Sequence, residues 1–124
     1  MSKTSVIAIV DDDEAVREAL FDFLQMEGLS ARMFDRAAAF LAGAAVEGFE
    51  CVITDVRMPE IDGIELQRRL RARGSPMPVI FITSSNEERA RARALQDGAA
   101  AWFTKPVDNE TLLSTVRAVL PPAH

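Results

Sequence analysis

Short, continuous apolar runs that stop abruptly at an acid or a hydroxyl, each followed by a segment of helical spacing, constrain this chain more than any other feature. Val6 to Val10 is one such run, cut off by Asp11-Asp12-Asp13. A strand buried on both faces reads this way, because both sides of its pleat must be apolar. From Glu14 the period changes, and Val16, Leu20, Phe23 and Leu24 share one helical stripe between a capping Asp13 and Gly28. Leu29 to Phe34 is a second, less apolar strand suited to an edge. Asp35 is expected to cap a short Ala-rich helix presenting Phe40 and Leu41, which frays into 43–48. A third strand, Cys51 to Thr54, delivers Asp55 to a loop containing Pro59 and Asp62-Gly63. A helix from Gly63 to Arg73 follows, ended by Gly74-Ser75-Pro76. Val79 to Ile82 is the fourth strand, closing at Thr83, with Asn86 as the expected cap of a helix running to Gln96. Ala100 to Phe103 is the fifth, closed by Lys105-Pro106, and Asp108 caps a last helix carrying Leu112, Leu113, Val116, Val119 and Leu120.

Five strands that each lead into a helix predict a three-layer α/β sandwich, a (βα)5 chain of the flavodoxin-like kind with a parallel sheet in the order 2-1-3-4-5. Ligands of such sheets bind at the carboxyl ends of the strands. Those ends carry Asp11 and Asp12, Asp55, Thr83 and Lys105. Three carboxylates in one crevice repel: two unit charges ~4 Å apart cost about 4 kcal/mol at an effective dielectric near 20. A small domain has only about 5 to 15 kcal/mol in all, so a cation must offset the repulsion. Lys105 supplies one charge. Oxygen-only donors invite a hard divalent ion, Mg²⁺ or Mn²⁺, and the lack of nearby His or Cys disfavours zinc. A carboxylate can also attack phosphorus to give an aspartyl phosphate, with metal and Lys neutralising the transferred oxygens and a hydroxyl bonding one of them. Asp55, on the central strand, is the natural nucleophile; Asp11 and Asp12 are the natural metal holders.

Those residues resemble the receiver domain of a bacterial two-component response regulator over essentially the whole chain. The matching elements are Val10-Asp11-Asp12-Asp13-Glu14, Asp55-Val56-Arg57-Met58-Pro59 with Asp62-Gly63, Thr83, and Lys105-Pro106. The resemblance implies Asp55 as phosphoacceptor, and Asp12 and Asp55 as direct Mg²⁺ ligands with Asp11 acting largely through water. It adds the backbone carbonyl of Arg57 as a further ligand, Thr83 and Lys105 as phosphoryl contacts, and a cis peptide at Lys105-Pro106. It places the donor outside the chain, in a sensor histidine kinase or phosphotransfer protein. His124, the one histidine, lies beyond Pro121-Pro122 and offers no internal phosphohistidine site. Residues 1–120 form the expected receiver and 121–124 a tail or linker start. The wording around Asp55 resembles receivers joined to LuxR-type DNA-binding outputs, hence transcription control. Two other functions share the chemistry or the fold. A metal-dependent aspartyl-phosphate phosphatase needs a second acid at position 57, which is Arg57; a flavin- or nucleotide-binding module needs a phosphate loop after strand one.

In the family an aromatic three residues before the lysine turns inward when the Thr hydroxyl is drawn to phosphate. That position is Trp102 here, where Tyr, Phe or His is usual, and two readings stay open: a rotating switch, or a Trp covering the sheet edge and fourth helix. The fourth helix is thinly apolar, with Arg89, Arg91 and Arg93 solvent-facing, and it borders the helix-four, strand-five, helix-five surface that the family uses for homodimer or output contacts. Arg68, Arg69, Arg71 and Arg73 read as a solvated face. A net charge of −5 argues against this segment gripping nucleic acid or an anionic membrane. Lone Cys51 sits in a core strand, and no apolar run approaches a membrane span, so a cytoplasmic, non-enzymatic signalling domain is expected.

Overall fold

A computed structural model describes residues 6–43, 48–84 and 87–120. Strands and helices alternate as β1 (Val6–Val10), α1 (Glu14–Met26), β2 (Ser30–Phe34), α2 (Ala37–Ala42), β3 (Cys51–Thr54), α3 (Gly63–Ala72), β4 (Val79–Thr83), α4 (Glu88–Gln96), β5 (Ala101–Thr104) and α5 (Asn109–Val119). The strands pair in parallel in the order β2-β1-β3-β4-β5, the order expected from the sequence, with β2 on an edge.

Alternation along each strand divides the core into two layers. Ala8, Val10, Val52, Val79 and Phe81 meet Ala37, Phe40 and Leu41 of α2, Leu66 and Leu70 of α3, and Ala94 of α4. Ile7, Ile9, Cys51, Ile53, Ile80 and Ile82 face the other way, onto Leu24 of α1 and Leu112 and Val116 of α5. Burial pushes the Cys51 thiol up to about 12, so it packs as a small apolar group.

Three helix starts are capped by an aspartate, Asp13 and Asp108 as the sequence indicates and Asp62 in addition. Asp13 accepts from the N–H groups of Ala15 and Val16, Asp62 from Glu65, and Asp108 from Thr111. The second helix departs from expectation. It begins at Ala37, its capping position is Arg36 without a side-chain bond, and Asp35 stands one residue too early, 3.8 Å from the Arg36 guanidinium. The expected cap Asn86 lies outside the described residues; Glu87 precedes α4 and makes no side-chain cap bond. That helix buries only Ala94 and leaves Leu95 exposed, in keeping with its thin apolar content.

The α3 arginines also require correction. Arg68 and Arg69 are exposed and pair with Glu65, but Arg71 is turned inward. Its guanidinium donates to the carbonyls of Asp97, Ser75, Met77 and Gly98 at 2.9, 3.0, 2.9 and 3.4 Å. Arg73, just past the helix, donates to the Leu41 carbonyl at 2.9 Å. Five donors in a planar fork suit the unpaired carbonyls at helix ends and loops, a use that helical spacing alone does not reveal.

Candidate functional site

Strand register brings the chemistry to one level. Val10 pairs with Thr54, Thr54 with Phe81, and Phe81 with Trp102, so the residues just beyond those rungs emerge together at the carboxyl edge. The ladder runs on past the strands: Asp55 N–H donates to the Val10 carbonyl (3.3 Å), Asp11 N–H to Phe34 (3.1 Å), and Lys105 N–H to Thr83 (2.8 Å). Each side chain is therefore aimed by a backbone held in the sheet.

Asp55 is 7% exposed, and its two oxygens have different surroundings. Oδ1 accepts from the Val56 N–H at 2.6 Å and the Arg57 N–H at 3.3 Å, while Oδ2 lies 3.0 Å from Lys105 Nζ. Asp11, 2% exposed, accepts from the Asp13 N–H at 2.9 Å and stands 3.5 Å from the same ammonium. Asp12 is exposed, yet one carboxylate oxygen from each of Asp11, Asp12 and Asp55 lies within 4.8 Å of the others. Thr83 is fully buried at the end of β4. The peptide joining Lys105 to Pro106 is cis.

The loop after Asp55 is shaped by two backbone features. Glu60 adopts φ of 70°, the left-handed region that few side chains favour. Gly63 donates its N–H to the Val56 carbonyl at 2.8 Å, and a β-carbon added there would lie 2.2 Å from the Asp55 carbonyl oxygen. Glycine is thus required for the start of α3 to close against the acid.

The electrostatics follow from this crowding. Burial pushes the Asp11 carboxyl above its ordinary value; the Asp13 N–H and Lys105 oppose that rise and Asp55 adds to it. For Lys105, burial disfavours the charge, but the hydrogen bond it donates to Asp55 and the charges of Asp11 and Asp55 outweigh it and hold the ammonium above its usual range. One cation faces two buried carboxylates and an exposed third. Hard oxygen donors with incomplete charge compensation fit a divalent cation such as Mg²⁺.

Two residues singled out in the sequence stand apart from the carboxylates by their side chains. Arg57 contributes its N–H to Asp55, but its guanidinium forms a two-pronged pair with Glu87. Trp102 packs beside Phe81, ring centroids 5.4 Å apart, among the residues that α4 covers, and its indole N–H is buried without a partner among the described residues. Glu87 and Gln67 carried no sequence signal; both matter through contacts with residues about 30 positions away.

Comparison with known proteins agrees with this geometry. The family model described as the response regulator receiver domain matches residues 7–117. The chain is 42% identical over 118 residues to the response regulator protein TodT of Pseudomonas putida, covering 95% of this chain and 52% of TodT. It is 39% identical over 120 residues to the transcriptional regulatory protein FixJ of Azorhizobium caulinodans, covering 97% and 57%. The structure of the response regulator StyR superposes with a TM-score of 0.88 at 35% identity, over 95% of this chain and 60% of that one. The chain spans about half the length of the curated relatives it matches. Sheet order, site geometry and sequence relatives coincide, and the chain belongs to the response regulator receiver domain family.

Proposed function

We propose that Asp55 accepts a phosphoryl group from a phosphohistidine on a partner sensor kinase or phosphotransfer protein. The observation that carries this reading is the placement of Asp55: nearly buried, on the central strand, with Lys105 Nζ at 3.0 Å and two further carboxylates alongside. A carboxylate oxygen of Asp55 forms the O–P bond as the donor N–P bond breaks, and the departing imidazole keeps the bonding pair and takes up a proton. Lys105 neutralises charge on the transferred oxygens, and the Thr83 hydroxyl donates to one of them. The Val56 and Arg57 N–H groups orient the carboxylate. Asp12, Asp55, the Arg57 carbonyl and, through water, Asp11 would hold Mg²⁺ or Mn²⁺. Once bound, that ion screens the converging negative charges.

The chain acts as a switch rather than a turnover enzyme, with residues 1–120 as the receiver and 121–124 as a tail or linker start. The surface of α4, β5 and α5 carries the output, as a homodimer contact or toward a following domain, and Trp102 is the aromatic coupled to Thr83. The output is read as LuxR-type control of transcription; the name of FixJ, a transcriptional regulatory protein, supports the transcriptional part of that reading. A phosphatase finds no support, since Arg57 occupies the position of the second acid. A cytoplasmic setting suits a kinase partner; no helix among the described residues is long and apolar enough to cross a membrane.

The test is intact-mass analysis after incubation with a small acyl phosphate and Mg²⁺. The wild type gains one phosphoryl group, while Asp55→Asn and a chelator-treated sample gain none; undiminished uptake by Asp55→Asn would overturn the assignment.

A further inference from the structure

The two ends of α4 are held by different kinds of contact. At the C-terminal end, the buried Gln67 carboxamide, oriented to satisfy both partners, donates to the Ala94 carbonyl (3.3 Å) and accepts from the Ala99 N–H (3.0 Å). Arg71 adds bonds to the Asp97 and Gly98 carbonyls. Both anchors rise from α3, so this end is fixed to the body of the domain. At the N-terminal end Glu87, in the capping position, makes no side-chain cap bond, and among the described residues the first turn contributes no buried residue. What reaches it from the phosphoacceptor loop is Arg57, whose Nε donates to Glu87 Oε2 at 2.7 Å while the second prong meets Oε1. The Arg57 side chain is 68% exposed, so the pair belongs to the weak class, amounting to a factor of roughly two to five in an opening equilibrium.

The same residue touches the acid from its other side. The Arg57 N–H lies 3.3 Å from Asp55 Oδ1, so its guanidinium is carried by the residue whose backbone senses that carboxylate. A phosphoryl group on Asp55 would replace the single carboxylate charge by up to about two and bring three acceptor oxygens within two residues of Arg57. Arginine binds phosphate in the same two-pronged manner as carboxylate. A weak pair with Glu87 then competes with a stronger anion.

We propose that the Arg57–Glu87 pair is a breakable strap holding the N-terminal end of α4 to the phosphoacceptor loop, and that a phosphoryl group on Asp55 releases it by competing for Arg57, leaving α4 to swing about the end held by Gln67 and Arg71. The release half rests on the reading of Asp55 as phosphoacceptor; the strap itself does not.

Residue-resolved amide exchange by NMR separates the two halves. In the unphosphorylated protein, Arg57→Ala and Glu87→Gln each speed exchange at the Arg91 amide, which bonds the Glu87 carbonyl at 2.9 Å, by about two- to fivefold. The Asp97 amide, bonded to the Arg93 carbonyl at 3.0 Å, is unchanged, and the double variant goes no further than either single. Single effects that multiply in the double variant, or no effect at Arg91, would overturn the strap. Phosphorylated wild type, verified by intact mass, shows the same rise at Arg91, and phosphorylated Arg57→Ala adds nothing to it. Retained protection at Arg91 in demonstrably phosphorylated wild type would overturn release. Failure to gain phosphoryl mass would refute the Asp55 reading, and the release with it, while the strap is judged on the unphosphorylated cycle.

Discussion

Gly63 occupies a position where a methyl group has no room, because the Asp55 carbonyl oxygen would lie 2.2 Å away and the Phe81 ring 3.1 Å. The backbone oxygen cannot retreat without moving Asp55, since the Asp55 N–H is tied to Val10 and its carbonyl accepts from the Thr54 hydroxyl at 2.9 Å. Gly63→Ala is therefore expected to cost about 1 to 3 kcal/mol in urea unfolding. It should also slow phosphoryl uptake, measured by mass, in protein that is still folded; unimpaired stability and uptake would mean that α3 backs away freely. The sequence marked Asp62-Gly63 as a turn into a helix, which is correct as far as it goes. The steric demand was invisible there, because it arises from a carbonyl eight residues earlier folding back over the helix start. Asp11, Asp12, Asp55 and Lys105 were legible as a group, since each ends a strand and the sheet order fixes which ends are neighbours.

At the scale of elements, strand positions could be read to within about a residue because buried parallel strands advertise themselves as unbroken apolar runs. Helix starts were legible where an Asp stands at the capping position and misleading where it stands one residue outside, as at Asp35. The roles of Arg71 and Arg73 were not legible, because their partners are carbonyls up to 32 positions away and a carbonyl has no signature in sequence. Arg71→Lys tests that reading. A lysine keeps the charge but not the planar fork, so several carbonyls lose their partner, and a loss of about 1 to 3 kcal/mol is expected in urea unfolding, with faster amide exchange at Ala99. Burial already holds the Arg71 pKa below its usual value, with Asp97 opposing, which marks this arginine as partly withdrawn from water. A variant as stable as the wild type would return it to the solvated face first expected.

For the molecule as a whole, the single tryptophan is the proposed link between site and output. Trp102 shares a rung with Phe81, two residues before Thr83, and lies against the layer covered by α4. Its indole N–H, buried and without a partner among the described residues, makes its emission sensitive to any rearrangement that finds it a partner or a water molecule. Fluorescence is expected to shift in proportion to the phosphorylated fraction; an unchanged spectrum in fully phosphorylated protein would remove Trp102 from the relay. The geometry described above also bears on how the chain can be divided. A cut in the turn at Gly74-Ser75 leaves Asp11, Asp12 and Asp55 on one fragment and Thr83 and Lys105 on the other, with β3 and β4 as the seam between them. Each fragment then holds part of the site without its complement: the first keeps the three carboxylates without the Lys105 ammonium, and the second keeps that ammonium without the acids it faces. Phosphoryl uptake by such a split chain would be a proximity assay, reporting when two separately tethered halves have been brought together.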